Sequence, residues 1–494
     1  MVSLSTKDSR HRLELRYGPV DMNRAIQDAS LDKYLVISLA EFRSIKSANS
    51  PPTIEGNASQ VIQPTTYKEC SEYAVKFLRA GISIQGVHYN FYGHSNSQLK
   101  SRTCYFLAAP KEQISQKIEG LGDFTKMKTV AKKAKRIGLL FSVARAAMKV
   151  DPKKVEDIPD IEPYVFGHLN DEVIVLLDAL GISRKILLRK QQEHFNFLAE
   201  AYQDPRAAFR VLCHLDRPDL AERVIIDSLD AVRPSINRLI NAEYDKMLNK
   251  RDEQKCRILI PKSRLLFGVC DAWGVLRPGQ CAVKVTMDGD GQPYALRGTK
   301  VLVTRNPCLH PGDLQKLDVV ERPELAHLVD CIVFPTTGRR PAADMMSGGD
   351  LDGDTFFVTW DPDIIPSTIS QAAHYPGVRE PLRFTPITDD DRLLYFAKYT
   401  NASLGRVKNL YLRWARATNA MSPECQELNR LFSQCVDGNR IKDSQLDKFA
   451  NPPEPDAEAP PFVLDELHDS AKDIIAKQKL QSRSRMISPF LKPN

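Results

Sequence analysis

The spacing of apolar and polar residues changes character several times along the chain. Between residues 13 and 110, short apolar runs (Tyr34 to Leu39, Val87 to Tyr92, Cys104 to Ala109) alternate with turn-rich stretches such as Ser47 to Thr53. That mixture predicts a mixed α/β module. A basic run follows, with Lys126, Lys128, Lys132, Lys133, Lys135 and Arg136 leading into apolar Ile137 to Val143. Such a run reads first as a solvated face and second as a phosphate-contacting surface. From 168 to 250 the period is helical. Val173, Ile174, Leu176, Leu177 and Leu180 recur on one side with Gly181 as a stop, and Asp204-Pro205 forms a cap and first turn before Ala207 to Leu215. Ser235 is expected to open a further stripe of Ile236, Leu239, Ile240 and Met247.

From about 256 to 361 the period becomes that of a strand. Cys281, Val283, Val285 and Met287 alternate with Ala282, Lys284 and Thr286, and Val301 and Val303 resume the pattern after a turn. The intervening Asp288 to Pro293 reads as a hairpin loop; a calcium loop would need a bidentate carboxylate that does not follow at a fitting distance. Cys331 to Phe334 and Phe356 to Trp360 are continuously apolar, as strands buried on both faces are. Helical spacing returns after 389, with Leu404, Val407, Tyr411 and Trp414 on one side and Arg406, Arg413 and Arg416 mostly off it. Asn451 to Pro461 reads as a linker and the last residues as a loose basic tail. The chain is therefore expected to be an α+β multidomain protein. Its parts are an N-terminal mixed α/β module (1–160), a helical region (161–255), a strand-rich domain (256–388), a helical neck-like region (389–450), and a linker with tail (451–494).

Composition narrows this picture only a little. With 42% hydrophobic and 27% charged residues the chain is globular in character, and its net charge of +7 is compatible with a polyanionic partner without demanding one. No apolar run approaches the ~20 residues that span a bilayer, and Met1 to Arg10 lacks the apolar core of a secretory signal. The ten cysteines are scattered with no C-x-x-C pair, which predicts reduced thiols in a cytoplasmic or nuclear protein that is not secreted.

Chemistry concentrates in Ser347-Gly348-Gly349-Asp350-Leu351-Asp352-Gly353-Asp354, between two buried strands. Three carboxylates at this spacing repel one another, and a divalent cation relieves the repulsion. In a straight strand the outer two would lie roughly 13 Å apart, so the backbone must bend, as Gly348, Gly349 and Gly353 allow. Hard oxygen ligands suit Mg2+, with Mn2+ as an alternate, in phosphoryl transfer. An EF-hand loop would place its glycine sixth, whereas Gly353 comes fourth, with strands on either side. A purely structural acidic turn is the other reading, and three aspartates in five residues are unusual for one. Lys262, Arg264, Arg339 and Arg340 have the chemistry to contact phosphates; surface ion pairing is the competing use of each.

The same segment resembles a known family, the cellular RNA-dependent RNA polymerases of RNA silencing. Gly348 to Asp361 (GGDLDGDTFFVTWD) is similar to the family's D-x-D-G-D loop, and Arg305 to Asp313 (RNPCLHPGD) to its upstream hallmark. Further likeness lies in IPKSRLLFGVCDAWGVLRPGQ (260–280), VFPTTGRRP (333–341), HSNSQLKSRTCYF (94–106) and AKRIGLLFS (134–142). The resemblance implies a double-psi β-barrel catalytic domain over 256–388, and magnesium held by Asp350, Asp352 and Asp354 as catalytic residues. It also implies a nucleotide channel shaped by the segment containing Arg305, Asn306, His310 and Asp313. The implied activity is synthesis of double-stranded RNA from a single-stranded RNA template and nucleoside triphosphates, with silencing-pathway proteins as partners. Family members carry a second barrel with a lysine-bearing motif after the Y-x-F segment. Here Tyr164-Val165-Phe166 passes almost directly to Leu169-Asn170, and the likeness ends near Val436-Asp437, which implies a truncated member. The alternative is a catalytically inactive remnant that binds RNA or a partner protein.

Overall fold

The protein is described from a computed structural model. It describes residues 2–5, 12–15, 23, 25–26, 33–39, 67–142, 166–215, 217–247, 256–286, 293–351, 353–375, 382–399, 403–436, 441–455, 458 and 460–487. Along the chain the first elements are strands β1 (Val2–Ser5), β2 (Arg12–Leu15) and β3 (Tyr34–Ser38), helix α1 (Tyr67–Ala80), strands β4 (Ile82–Ile84) and β5 (Val87–Gly93), helix α2 (Asn96–Ser101), strand β6 (Thr103–Leu107), and helices α3 (Lys111–Glu119) and α4 (Val130–Gly138). A short strand β7 (His168–Leu169) leads into helices α5 (Asp171–Ala179), α6 (Arg184–Glu200), α7 (Pro205–His214), α8 (Pro218–Ile226) and α9 (Leu229–Met247). Strands β8 (Ile258–Leu259), β9 (Ser263–Cys270), β10 (Gln280–Thr286), β11 (Pro293–Ala295), β12 (Lys300–Arg305), β13 (Gln315–Val319), β14 (Cys331–Phe334) and β15 (Thr355–Thr359) follow. Helices α10 (Asp389–Lys398), α11 (Leu404–Ala417), α12 (Pro423–Val436), α13 (Asp443–Asp447) and α14 (Val463–Ile487) complete the chain.

These elements form two compact units, neither continuous in sequence. One comprises 1–154, 377–406 and 434–442; the other comprises 155–376, 407–433 and 443–494. The division cuts across the expected segments: α10, placed by sequence in a neck, belongs to the first unit, while α14 belongs to the second.

In the first unit a six-stranded sheet runs in the order β2-β1-β3-β6-β5-β4. Strand alternation sorts its side chains cleanly. Cys104 and Phe106 of β6 join Ile37, Ala74, Leu78, Leu393, Phe396 and Ala397 on one face. Tyr105 and Leu107 join Tyr34, Tyr92, Ile114, Ile118, Ile137 and Phe141 on the other. The segment 94–106 is a packing device. Ser95 and Gln98 form a reciprocal capping box at the start of α2, and Arg102 ends that helix in the left-handed region. The buried Arg102 guanidinium donates to the carbonyls of Phe396, Ala397 and Tyr399, which satisfies the C-terminal carbonyls of α10. Lys132, Lys135 and Arg136 of the basic run lie on the exposed side of α4, with Ala131, Ala134 and Ile137 buried beneath and half-buried Lys133 donating to the Ile387 carbonyl; Lys126 and Lys128 precede the helix.

The second unit carries the predicted helices as α5 to α9. Gly181 is in the left-handed region, and Asp204 Oδ1 accepts the N–H groups of Arg206 and Ala207. One boundary differs: α9 starts at Leu229 rather than Ser235 and carries Pro234 inside it. Its stripe of Val232, Ile236, Ile240 and Tyr244 is buried against α6, α7 and α8, and this tertiary packing outweighs the lost backbone hydrogen bond. The expected basic tail is corrected too. Val463–Ile487 is helical because Ala471 and Ile475 complete that same core and Gln478 Nε2 donates to the Phe195 carbonyl.

Strands β10-β13-β12-β15-β9-β14 pair in that order, and β14 returns to β10, so six strands close into a barrel with β11 as a hairpin extension of β10. The loop between β10 and β11, including Asp288, lies outside the described residues. Val283, Val285, Val301, Val303, Ile332, Phe334, Phe356 and Val358 fill the barrel. Outside, Ala282, Cys331 and Val333 are covered by Leu276, Leu325 and Leu328, which is why β14 reads as continuously apolar. Buried Lys190 of α6 ties the helices to the barrel through Asp361, at 2.8 Å, just beyond β15. No helix among the described residues is long and apolar enough to cross a membrane.

Candidate active site

The acidic segment is the connection from β14 to β15, two strands that both pair with β9. Gly348 (φ +68°) and Gly353 (φ +111°) turn the backbone through the left-handed region, and so do Ser347 (φ +53°) and Leu351 (φ +59°), at a cost of about 1 kcal/mol or more each. A leucine held there is uncommon and points to a loop over-determined by its surroundings. Gly349 serves differently: a Cβ on it would stand 2.9 Å from the Ala343 carbonyl oxygen and 3.2 Å from Asp354 Oδ2, so the absent side chain lets the loop close on itself. Gly268 of β9 makes matching room for Leu351, whose Cδ2 would be 2.7 Å from an added Cβ.

This bend brings two of the three aspartates together. Asp354 is 9% exposed and its Oδ2 accepts the Asp350 N–H at 3.0 Å, while the Asp350 residue itself is exposed. Asp352 lies outside the described residues. Arg305, at the end of β12, places Nε 2.7 Å from Asp354 Oδ1 and donates through another nitrogen to the Ser347 carbonyl at 3.2 Å. One guanidinium thus neutralises the inner carboxylate and braces the turn before it.

The segment following Arg305 is a bracket. Asn306 Oδ1 accepts from Asn170 at 3.2 Å. His310 Nδ1 accepts the Gly312 N–H at 2.9 Å, which leaves Nε2–H to donate to Gln426 at 3.2 Å. Asp313 is fully buried, and its carboxylate accepts from the Tyr375 hydroxyl (2.7 and 2.9 Å), the His310 N–H (3.1 Å) and the Ser347 N–H (3.2 Å). Desolvation pushes the Asp313 pKa up, against the pull of these donors, and burial beside that carboxylate pushes the Tyr375 hydroxyl well above its ordinary value.

The cationic candidates divide. Lys262 and Arg339 are exposed and make no ion pair among the described residues. Arg340 is paired with Asp344, four residues on. Arg264 is only 3% exposed: its guanidinium lies 4.4 Å from the Phe166 ring and donates to the Ser263 carbonyl at 2.8 Å, so packing against the barrel wall occupies it. Sequence reasoning did not single out Tyr375, Gln426 or Asn429, each brought in from 54 to 116 residues away.

A closed β-barrel with a glycine-hinged acidic loop at one end, braced by an arginine from a neighbouring strand, is the class of protein that this fold and site define. The solved structure of the RNA dependent RNA polymerase QDE-1 from Thielavia terrestris is similar to it, with a TM-score of 0.68 at 18% identity over 99% of this chain and 71% of that one. The family model for RNA dependent RNA polymerase matches residues 21–168 and 163–486, well past Val436-Asp437 where the motifs placed the end of the likeness, and the chain belongs to that family. RNA-dependent RNA polymerase 2 of Arabidopsis thaliana is 28% identical over 468 residues, covering 74% of this chain and 41% of that protein. The probable RNA-dependent RNA polymerase 1 of Oryza sativa subsp. japonica is 28% identical over 518 residues, covering 85% of this chain and 69% of that one. The chain thus spans about two fifths of the length of the Arabidopsis relative.

Proposed function

We propose that this protein is a magnesium-dependent RNA-directed RNA polymerase that copies single-stranded RNA from nucleoside triphosphates into double-stranded RNA, in RNA-mediated gene silencing. Family membership supports the reaction class. The observation that carries the reading is the fold-back of the acidic loop, which sets the backbone N–H of an exposed Asp350 on the Asp354 carboxylate where an extended strand would hold the two residues apart. The finer fold reading, a double-psi barrel, rests on the closed six-stranded pairing with β10 and β13 parallel and β9 and β14 parallel.

Asp350, Asp352 and Asp354 would hold magnesium. The donor chemistry fits: carboxylate oxygens are hard ligands, and each of the two that Asp354 presents keeps a second lone pair beyond those used by Arg305 and the Asp350 N–H. When bound, magnesium lowers the pKa of an attacking hydroxyl and stabilises charge on a pyrophosphate leaving group. The chain's own contribution is positional. Arg305 orients the Asp354 carboxylate through their ion pair, and Ser347 and Gly348 turn Asp350 outward. Exposed Lys262 and Arg339 offer charge to triphosphate or template backbone, whose recognition must be independent of sequence.

Incorporation of labelled nucleotide on a single-stranded RNA template with magnesium tests the reading. Activity in the unaltered protein with a loss of at least a hundredfold in Asp352→Ala and in Asp350→Asn is the expected outcome. Retained RNA binding with no incorporation would select the inactive remnant instead.

A further inference from the structure

Behind the acidic loop runs a continuous chain of hydrogen bonds to a helix far away in sequence. Asn429 of α12, itself 5% exposed, donates through Nδ2 to the Tyr375 hydroxyl at 3.0 Å. That hydroxyl donates to both oxygens of Asp313, and Asp313 accepts the backbone N–H of Ser347, the first left-handed residue of the loop. One turn earlier on the same helix, Gln426 receives the His310 Nε2–H, fixing the other end of the segment 310–313. The Tyr375 side chain also lies beside the loop: a Cβ added to Gly348 would stand 3.5 Å from Tyr375 Cβ. The backbone carrying Tyr375 is seated just as closely, since a Cβ on Gly312 would stand 2.0 Å from the Gln371 carbonyl oxygen.

The arrangement is more than loop filling. Ser347 is a non-glycine residue held at φ +53°, a conformation that persists only where neighbours enforce it, and its N–H has Asp313 as partner. Asp313, fully buried, needs the Tyr375 hydroxyl as well, because a desolvated carboxylate with a donor removed loses one of its strongest interactions. Tyr375 in turn is oriented by Asn429. We propose that Tyr375 is a positioning residue for the acidic loop, which with Asp313, Asn429 and Gln426 makes α12 the support that sets how tightly the loop captures a divalent cation. The inference deepens the proposed function and rests on its metal reading.

The test uses Tyr375→Phe in the full chain, which keeps the ring against Gly348 and deletes only the hydroxyl. Two readouts separate positioning from simple destabilisation. In metal-free protein, hydrogen exchange of residues 345–351 is expected to rise about tenfold while β12 and β14 stay within about twofold of the unaltered chain. Manganese binding followed by electron paramagnetic resonance is expected to weaken about tenfold, with Asp350→Asn as the reference for loss of the site. Exchange that is unchanged, or that rises equally in the barrel strands, overturns the proposal alone. A local rise in exchange with unchanged manganese affinity overturns it too, since the loop would then be held without the site being set. If the unaltered protein shows no manganese binding that depends on Asp350, the metal reading falls and takes this positioning role with it.

Discussion

Arg305 and Asp354 set the electrostatics of the loop. With side chains only 19% and 9% exposed, they form a pair whose attraction is little screened, and breaking it from the cationic side leaves a buried carboxylate uncompensated. Arg305→Met is therefore expected to lower stability by about 3 kcal/mol in urea titrations without metal, and by clearly less with saturating magnesium if the ion replaces the lost charge. An equal loss in both conditions would speak against a cation at Asp354. At this scale the sequence was informative about the bend at Gly348 and Gly353, because the need to turn between two strands is readable from spacing. Leu351 and Ser347 were not readable as left-handed residues, since nothing local favours that conformation in them. Arg264 carries the same lesson in reverse: its charge suggested a phosphate, but Phe166 and Trp360 lie within 4.4 and 5.6 Å of its guanidinium, a contact that only the fold creates.

Among elements, the barrel strands and helices α5 to α9 were legible because their faces are buried with the period that each structure imposes. Helix α14 was not. Its first half carries Val463, Leu464, Leu467, Ala471 and Ile475, but a proline-rich stretch precedes it and Lys, Gln, Arg and Ser crowd its second half, so local composition argued for a tail. Packing against α6 and α9 decides otherwise, and Ile475, 2% exposed, lies within that core. Ile475→Ala should cost about 2–4 kcal/mol through lost burial and a residual cavity, measured as a shift in the midpoint of denaturant unfolding. A change under 0.5 kcal/mol would mean that the helix does not dock there. Helix α10 was legible as a helix but not as part of the first unit, because Leu393, Phe396 and Ala397 pack on a sheet, and Arg102 reaches three carbonyls, almost 300 residues away in sequence.

For the molecule as a whole, both units carry histidines that are neutral when folded. Burial pushes the pKa of His94 down to about 4 in one unit, and those of His168 and His194 down to about 3 in the other, where the charge of Arg257 adds to the effect. His194 uses Nδ1 to accept the Leu259 N–H at 2.7 Å, a role that protonation would end. In the unfolded chain these groups take up protons below about pH 6.5, so stability contributed by their burial is complete above that pH and is lost as pH falls from 6.5 toward 4 and then 3. His194→Gln, which keeps an acceptor, should flatten the dependence of unfolding free energy on pH in this window by at most about 1.4 kcal/mol per pH unit. Denaturant unfolding at several pH values measures it, and an unaltered slope would show that His194 does not titrate differently in the two states.

The chain leaves one unit for the other after residues 154, 376, 406 and 433, and again after 442. Residues 1–154 by themselves lack Leu393, Phe396 and Ala397, which close one face of their sheet. Neither unit is therefore a cassette that one crossover in a gene could transplant, duplicate or delete.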